Sequence, residues 1–149
     1  MLTVENLTSF HEAAGLLARS SPVQSTLLLY LGGYHNRARH ELLVKLWRWT
    51  RQAWKPIRFY HWGDLDLGGL QIFYHLADRT GIPLGPWLMD RETYLNHLSF
   101  GATFDQAYRE RLQTLVLRPG GEAFRNLLEE MLTQGRRVEQ ESIRPILPA

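Results

Sequence analysis

A chain of 149 residues that is 44% hydrophobic, with 5 Trp, 6 Tyr and 6 Phe, has enough apolar surface for one packed core, which excludes disorder as its resting state. Without cysteine it has neither disulfides nor thiolate metal sites; no apolar run is long enough to cross a bilayer and no signal peptide opens the chain, so a cytoplasmic protein with no membrane partner is expected. A net charge of +2 is too small to argue for nucleic acid by itself, and the preference for arginine over lysine (Lys45 and Lys55 alone) fits either phosphate recognition or the codon bias of a GC-rich genome.

Met1 to Val4 reads as a short strand that Glu5 and Asn6 end. Ser9 and Glu12 stand at the spacing of a capping box, and Phe10, Ala13, Ala14 and Leu17 recur behind them at helical intervals. TLLLYL, Thr26 to Leu31, is the continuous apolar run of a strand covered on both faces, stopped by Gly32 and Gly33. From Asn36 to Trp54, the set Leu42, Leu43, Leu46, Trp47 and Thr50 marks one face of a long helix. Ile57 to Trp62 predicts a third strand entered at Pro56, with Asp64 and Asp66 just past its end. Gly68 and Gly69 then open a helix with the buried stripe Leu70, Phe73, Tyr74 and Ala77, closed by Gly81. Leu84 to Met89 predicts a fourth strand interrupted by Gly85 and Pro86. Beyond Asp90 the pattern is helical: Glu92 to Leu98, Phe104 to Val116 behind a Thr103/Gln106 capping box, and Glu122 to Thr133.

Strands alternating with helices predict an α/β fold: a mostly parallel four-stranded sheet, helices on both faces, and a helical C-terminal extension. Working residues of such sheets collect at the carboxyl ends of the strands. The acids obey that rule, with Glu5 after the first strand, Asp64 and Asp66 after the third, and Asp90 after the fourth.

In HWGDLDLGG, His61 to Gly69, two carboxylates stand one residue apart. They form either a polar turn or a site whose mutual repulsion is relieved by a shared proton or a cation. Oxygen donors with no cysteine and no histidine cluster suit Mg²⁺ or Mn²⁺ better than Zn²⁺. An EF-hand loop would need an oxygen ligand where Gly68 stands and a glutamate where His75 stands. The aspartyl-phosphatase pattern puts its acid pair after the first strand and a Thr or Val where Gly68 stands. An acid pair after a later strand, with a lone glutamate after the first, fits Glu5, Asp64 and Asp66.

That arrangement resembles the Toprim domain of topoisomerases, primases and related nucleases. More closely, ENLTSF (Glu5 to Phe10), LGGY (Leu31 to Tyr34), HWGDLDLGG with Ile72 downstream, and VEQES (Val138 to Ser142) together resemble the C-terminal domain of the JetD family. JetD is the nuclease subunit of Wadjet anti-plasmid systems and a relative of the topoisomerase VI A subunit, and the resemblance runs over essentially the whole chain. It implies a Toprim-like domain over residues 1–149, excised from a longer protein whose N-terminal region helps bind DNA. It implies a Mg²⁺- or Mn²⁺-dependent DNA endonuclease, weak or inactive in isolation, with Glu5, Asp64 and Asp66 as both catalytic and metal-binding residues. Glu5 is then either a ligand or the group that polarises the attacking water. The implied partners are DNA, other subunits of an SMC-like defence complex and a possible second copy of the chain. The topoisomerase relatives use a tyrosine nucleophile from a separate domain; Tyr30, Tyr34, Tyr60, Tyr74, Tyr94 and Tyr108 read here as core or interface aromatics.

The remaining candidates each have a plain alternative. Asp90 either completes the acidic cluster or caps the helix after it. Glu139 and Glu141 are auxiliary ligands or partners in surface ion pairs. Arg37 and Arg39, just beyond the Gly32–Gly33 pair, are candidate DNA phosphate contacts or solvated residues of a helix start. Gly32, Gly33, Gly68 and Gly69 either admit a phosphate to the backbone or simply make tight turns. His61 reads first as a hydrogen-bonded core residue. The tryptophans read as core, with any exposed one marking an interface. Two rivals to a nuclease remain: an inert Toprim scaffold that binds DNA or subunits, and a primase-like phosphotransfer enzyme, for which no P-loop or lysine-rich nucleotide site is visible.

Overall fold

Strand β1, Leu2–Val4, is buried along its whole length and lies at the centre of the fold. It pairs in parallel with β2 (Leu28–Tyr30) on one side and β3 (Phe59–Trp62) on the other, and β3 pairs in parallel with β4 (Leu84–Pro86). The order is therefore β2-β1-β3-β4. The computed structural model that shows this describes residues 1–20, 26–34, 36–52 and 57–148. Successive side chains of a strand point to opposite faces, so each face needs its own cover. One core joins Leu2, Val4 and Trp62 to Ala13 of helix α1 (Leu7–Arg19) and to Tyr94, Leu112, Phe124 and Leu128 from the C-terminal half. The other joins Met1, Leu31 and Phe59 to Leu43 of α2 (Arg37–Thr50) and Leu76 of α3 (Leu67–Thr80). This is the Rossmann-like α/β sheet covered on both faces that the alternating pattern predicts. Among the described residues, no helix is long and apolar enough to cross a membrane.

Several boundaries differ from the sequence pattern, each for a local reason. α1 begins at Leu7, because the Asn6 side chain accepts from the Thr8 and Ser9 N–H groups at 2.8 and 3.2 Å; Ser9 is buried inside the helix and caps nothing. β4 stops at Pro86 short of Met89, and Leu88 takes a left-handed φ of 53° that breaks the extended chain. Next come α4 (Arg91–Asn96) and α5 (Gln106–Val116). Asp105 caps α5 in place of Thr103, because Thr103 belongs to a short strand, β5 (Ala102–Thr103), paired antiparallel with β6 (Arg136–Arg137). α6 spans Arg125–Gln134 behind a 3₁₀ turn at Glu122–Phe124, so the C-terminal extension is helical with a two-stranded ribbon added. On α2 the buried stripe runs through Leu43 and Thr50, with Trp47 packed edge-on to Phe59. Leu42 falls outside it, and Trp49 lies on the opposite side of the helix, 65% exposed. Trp62 is fully buried, and Trp54 and Pro56 lie outside the described residues.

Candidate active site

The strand order reverses between β1 and β3, and a crevice opens at such a point beyond the carboxyl ends of the two strands. Glu5 follows β1 and is pinned to both neighbours: its N–H donates to Trp62 O at the end of β3 (3.0 Å), and its carbonyl accepts from Gly32 N–H after β2 (3.2 Å). Asp64 and Asp66 follow β3 at the same edge. Gly63 makes room for the glutamate, since a Cβ there would collide with Glu5 Oε2 and stand 3.0 Å from His61 Nε2. Gly69 is required differently, because its Cβ would run into the Asp64 backbone; the tight turn alone explains this glycine.

Each acid of the crevice is held by backbone. Asp66 caps α3, its Oδ1 accepting from Gly69 N–H at 2.7 Å. Asp64 Oδ1 accepts from Gln140 N–H at 2.7 Å. Glu5 Oε2 is buried and has no hydrogen-bond partner. Burial first, then the charge of Asp64, pushes the Glu5 carboxyl up to about 7, with Asp66 and Glu139 adding and the Asp64 N–H working against them. Burial likewise pushes Asp64 up to about 6; the Gln140 N–H opposes this, while Asp66, Glu139 and Glu141 reinforce it. The crevice is short of positive charge. Among the described residues, no three His, Asp or Glu side chains form a ready cation cage.

Glu139 and Glu141 reach this neighbourhood through a long-range pairing. Leu65, between the two aspartates, forms an antiparallel bridge with Val138: Leu65 N–H to Val138 O is 2.9 Å and the reverse bond 3.1 Å. Both residues are fully buried, and continuing the register sets Asp64 beside Glu139 and Asp66 beside Arg137. Glu139 Oε1 lies 3.9 Å from Arg137 Nε, and Glu141 accepts from the Asn6 side chain at 2.9 Å. Asp90 is not brought to the cluster; it is exposed and caps α4, its two oxygens accepting from the Thr93 N–H (2.8 Å) and hydroxyl (3.1 Å). Arg37 pairs with Glu41 on its own helix at 2.8 Å, and the Arg39 guanidinium lies 5.4 Å from the centre of the Tyr30 ring. His61 is fully buried, with Nδ1 2.9 Å from the Thr3 hydroxyl, as a core histidine should be.

The sequence pattern passes over Gln140, which ties the crevice together. It is fully buried; its Nε2 donates to Trp62 O (3.1 Å) and its Oε1 accepts from Asn6 N–H (2.9 Å), while its own N–H holds Asp64. One side chain therefore bonds to the chain after β1 and to the last residue of β3. Its place between two flagged glutamates in VEQES was the available signal. Gln140→Ala keeps the Asp64 bond, which is to backbone, but leaves Asn6 N–H unpaired and a small void. A loss of about 1–3 kcal/mol is expected in urea unfolding, and a change within about 0.5 kcal/mol, typical of surface sites, would contradict the role.

The family model described as "Wadjet protein JetD, C-terminal" matches residues 1–147. The Wadjet protein JetD of Bacillus cereus (strain Q1) is 32% identical over 143 residues, which are 96% of this chain and 33% of that protein. The chain spans about a third of the length of the curated relative it matches.

Proposed function

From the premise that the chain belongs to the Wadjet protein JetD C-terminal family, we propose that it is the catalytic domain of a metal-dependent DNA endonuclease acting in plasmid defence. One observation carries this reading: at the topological switch point, a buried glutamate oxygen without a hydrogen-bond partner stands with two further carboxylates, and burial, reinforced by their mutual charge, makes Glu5 and Asp64 weaker acids than usual. The three carboxylates offer oxygen donors, which suit Mg²⁺ or Mn²⁺. When bound there, such an ion supplies charge neutralisation for the scissile phosphate and its leaving oxygen. Asp64 and Asp66 would hold it, each giving up or sharing a backbone donor. Glu5 either completes the ligand set or takes the proton from the attacking water; an acidity near neutrality suits it to proton exchange. Glu139, set beside Asp64 by the Leu65–Val138 bridge, would assist, whereas Asp90 is engaged in capping α4.

DNA and the other subunits of an SMC-like complex are the proposed partners. The rival is an inert scaffold that binds DNA or subunits without turnover. Plasmid cleavage by the full-length protein in its native assembly separates the two. Cleavage that requires Mg²⁺ or Mn²⁺ and stops in EDTA is expected; no cleavage with either ion, by an assembly that still binds DNA, would favour the scaffold.

A further inference from the structure

A cleft of about 210 Å³ opens beside the acids, between the β5–β6 ribbon and the start of α5, lined by Thr103, Phe104, Asp105, Tyr108, Arg111 and Arg137. It abuts the crevice at two points. The Tyr108 hydroxyl accepts from Leu67 N–H at 2.6 Å, one residue past Asp66, and Arg137 is the neighbour of Glu139. Resting on the reading of the acids as a DNA-cleavage site, we propose that this cleft binds a backbone phosphate of the same DNA, beside the phosphate at the acids, with Arg111 and Arg137 as its ligands.

The charges favour this. Glu5, Asp64, Asp66, Glu139 and Glu141 crowd one edge of the sheet and repel a phosphate backbone, so DNA needs cations next to them. Arg137 Nε is buried without a hydrogen-bond partner, Glu139 Oε1 standing 3.9 Å away. Arg111 is exposed, lies 5.6 Å from the centre of the Tyr108 ring, and forms no ion pair among the described residues. The Tyr108 oxygen accepts from Leu67 N–H and from the Arg137 side chain, which holds that guanidinium at the cleft and leaves the Tyr108 proton as a third donor. Asp105 is the one acid of the lining, and its Oδ1 is committed to the Tyr108 N–H at 2.8 Å as the cap of α5. Two guanidinium forks and a hydroxyl around a small open cleft match the non-bridging oxygens of a phosphodiester.

The test is fluorescence anisotropy of a short labelled duplex with the full-length protein in EDTA, over a range of salt. Arg111→Gln and Arg137→Gln should each weaken binding about 3- to 10-fold and lower the slope of log K against log salt by about 1. Arg111→Lys should restore the slope. Arg125→Gln, on the exposed start of α6, controls for net charge and should leave binding unchanged. Arg111 is exposed enough that its variant keeps the fold whatever Arg137→Gln does. An unchanged slope in Arg111→Gln, or an equal loss in Arg125→Gln, would overturn the proposal. EDTA keeps this result separate from cleavage: duplex binding through the cleft by a protein that never cleaves would refute only the nuclease reading.

Discussion

Replacing Glu5 with glutamine is expected to leave the metal-free chain as stable as before, or more so, at neutral pH, and to abolish DNA cleavage by the full-length protein. The isostere keeps the backbone bonds of Glu5 to Trp62 and Gly32 and a side-chain oxygen for the Asp64 N–H. It removes a negative charge that burial and Asp64 already disfavour. A surface turn residue would also tolerate the change, within about 0.5 kcal/mol, but would leave function alone. As part of the site, Glu5→Gln should lower cleavage on the order of 10²-fold or more, because transition-state stabilisation worth several kcal/mol leaves with a ligand or base. DNA binding should survive or tighten, one charge near the phosphates having gone. Plasmid nicking with Mg²⁺ and Mn²⁺, beside a gel-shift control, reads both quantities. Undiminished cleavage by the folded variant would take Glu5 out of the mechanism.

Metal-free stability should fall as pH rises from about 4 to 7. Glu5 and Asp64 ionise near 4.5 and 3.8 in the unfolded chain but only near 7 and 6 when folded. Between those values the folded state holds more protons, so stability declines with rising pH, and the decline is complete above about 7. Glu130, held low by Gln134 and Arg91, acts in the opposite sense but only below its ordinary value of 4.5. On the proposed reading Mn²⁺ would bind the ionised carboxylates, so its stabilising effect should grow over the same window; a ligand at a hundred times its Kd adds about 2.7 kcal/mol. Urea midpoints measured across pH with and without Mn²⁺ test this. The Asp64→Asn/Asp66→Asn double variant should lose the Asp64 share of the pH dependence and all of the Mn²⁺ response, while the part that burial imposes on Glu5 remains. Identical Mn²⁺ shifts in the variant and the natural chain would remove the aspartates from any cation site.

The acids were legible because they sit where a local pattern changes: an apolar run ends and a polar pair begins, at Val4–Glu5 and again at Trp62–Asp64. Once the strands are recognised as parallel, only the adjacency of β1 and β3 is needed to bring Glu5 to the aspartates, and the register Val4 to Trp62 supplies it. What the sequence hid is long-range. The Leu65–Val138 bridge and the two-residue ribbon of β5 and β6 are too short to leave a period, so nothing local announces that Glu139 and Gln140 return to the crevice. Competition between caps was hidden as well. Asn6 and Asp105 displaced Ser9 and Thr103 because of where the preceding strands end, and Asp90 lies beyond the end of β4 at Pro86, where it caps the helix it starts.

A crystal of the chain soaked in Mn²⁺ and measured at the manganese absorption edge tests the cation site most directly. An anomalous peak bounded by Glu5, Asp64 and Asp66, with the Asp64 carboxylate turned from Gln140 toward the ion, is the expected result. No anomalous peak between them, in crystals held above pH 7 in excess Mn²⁺, would contradict it.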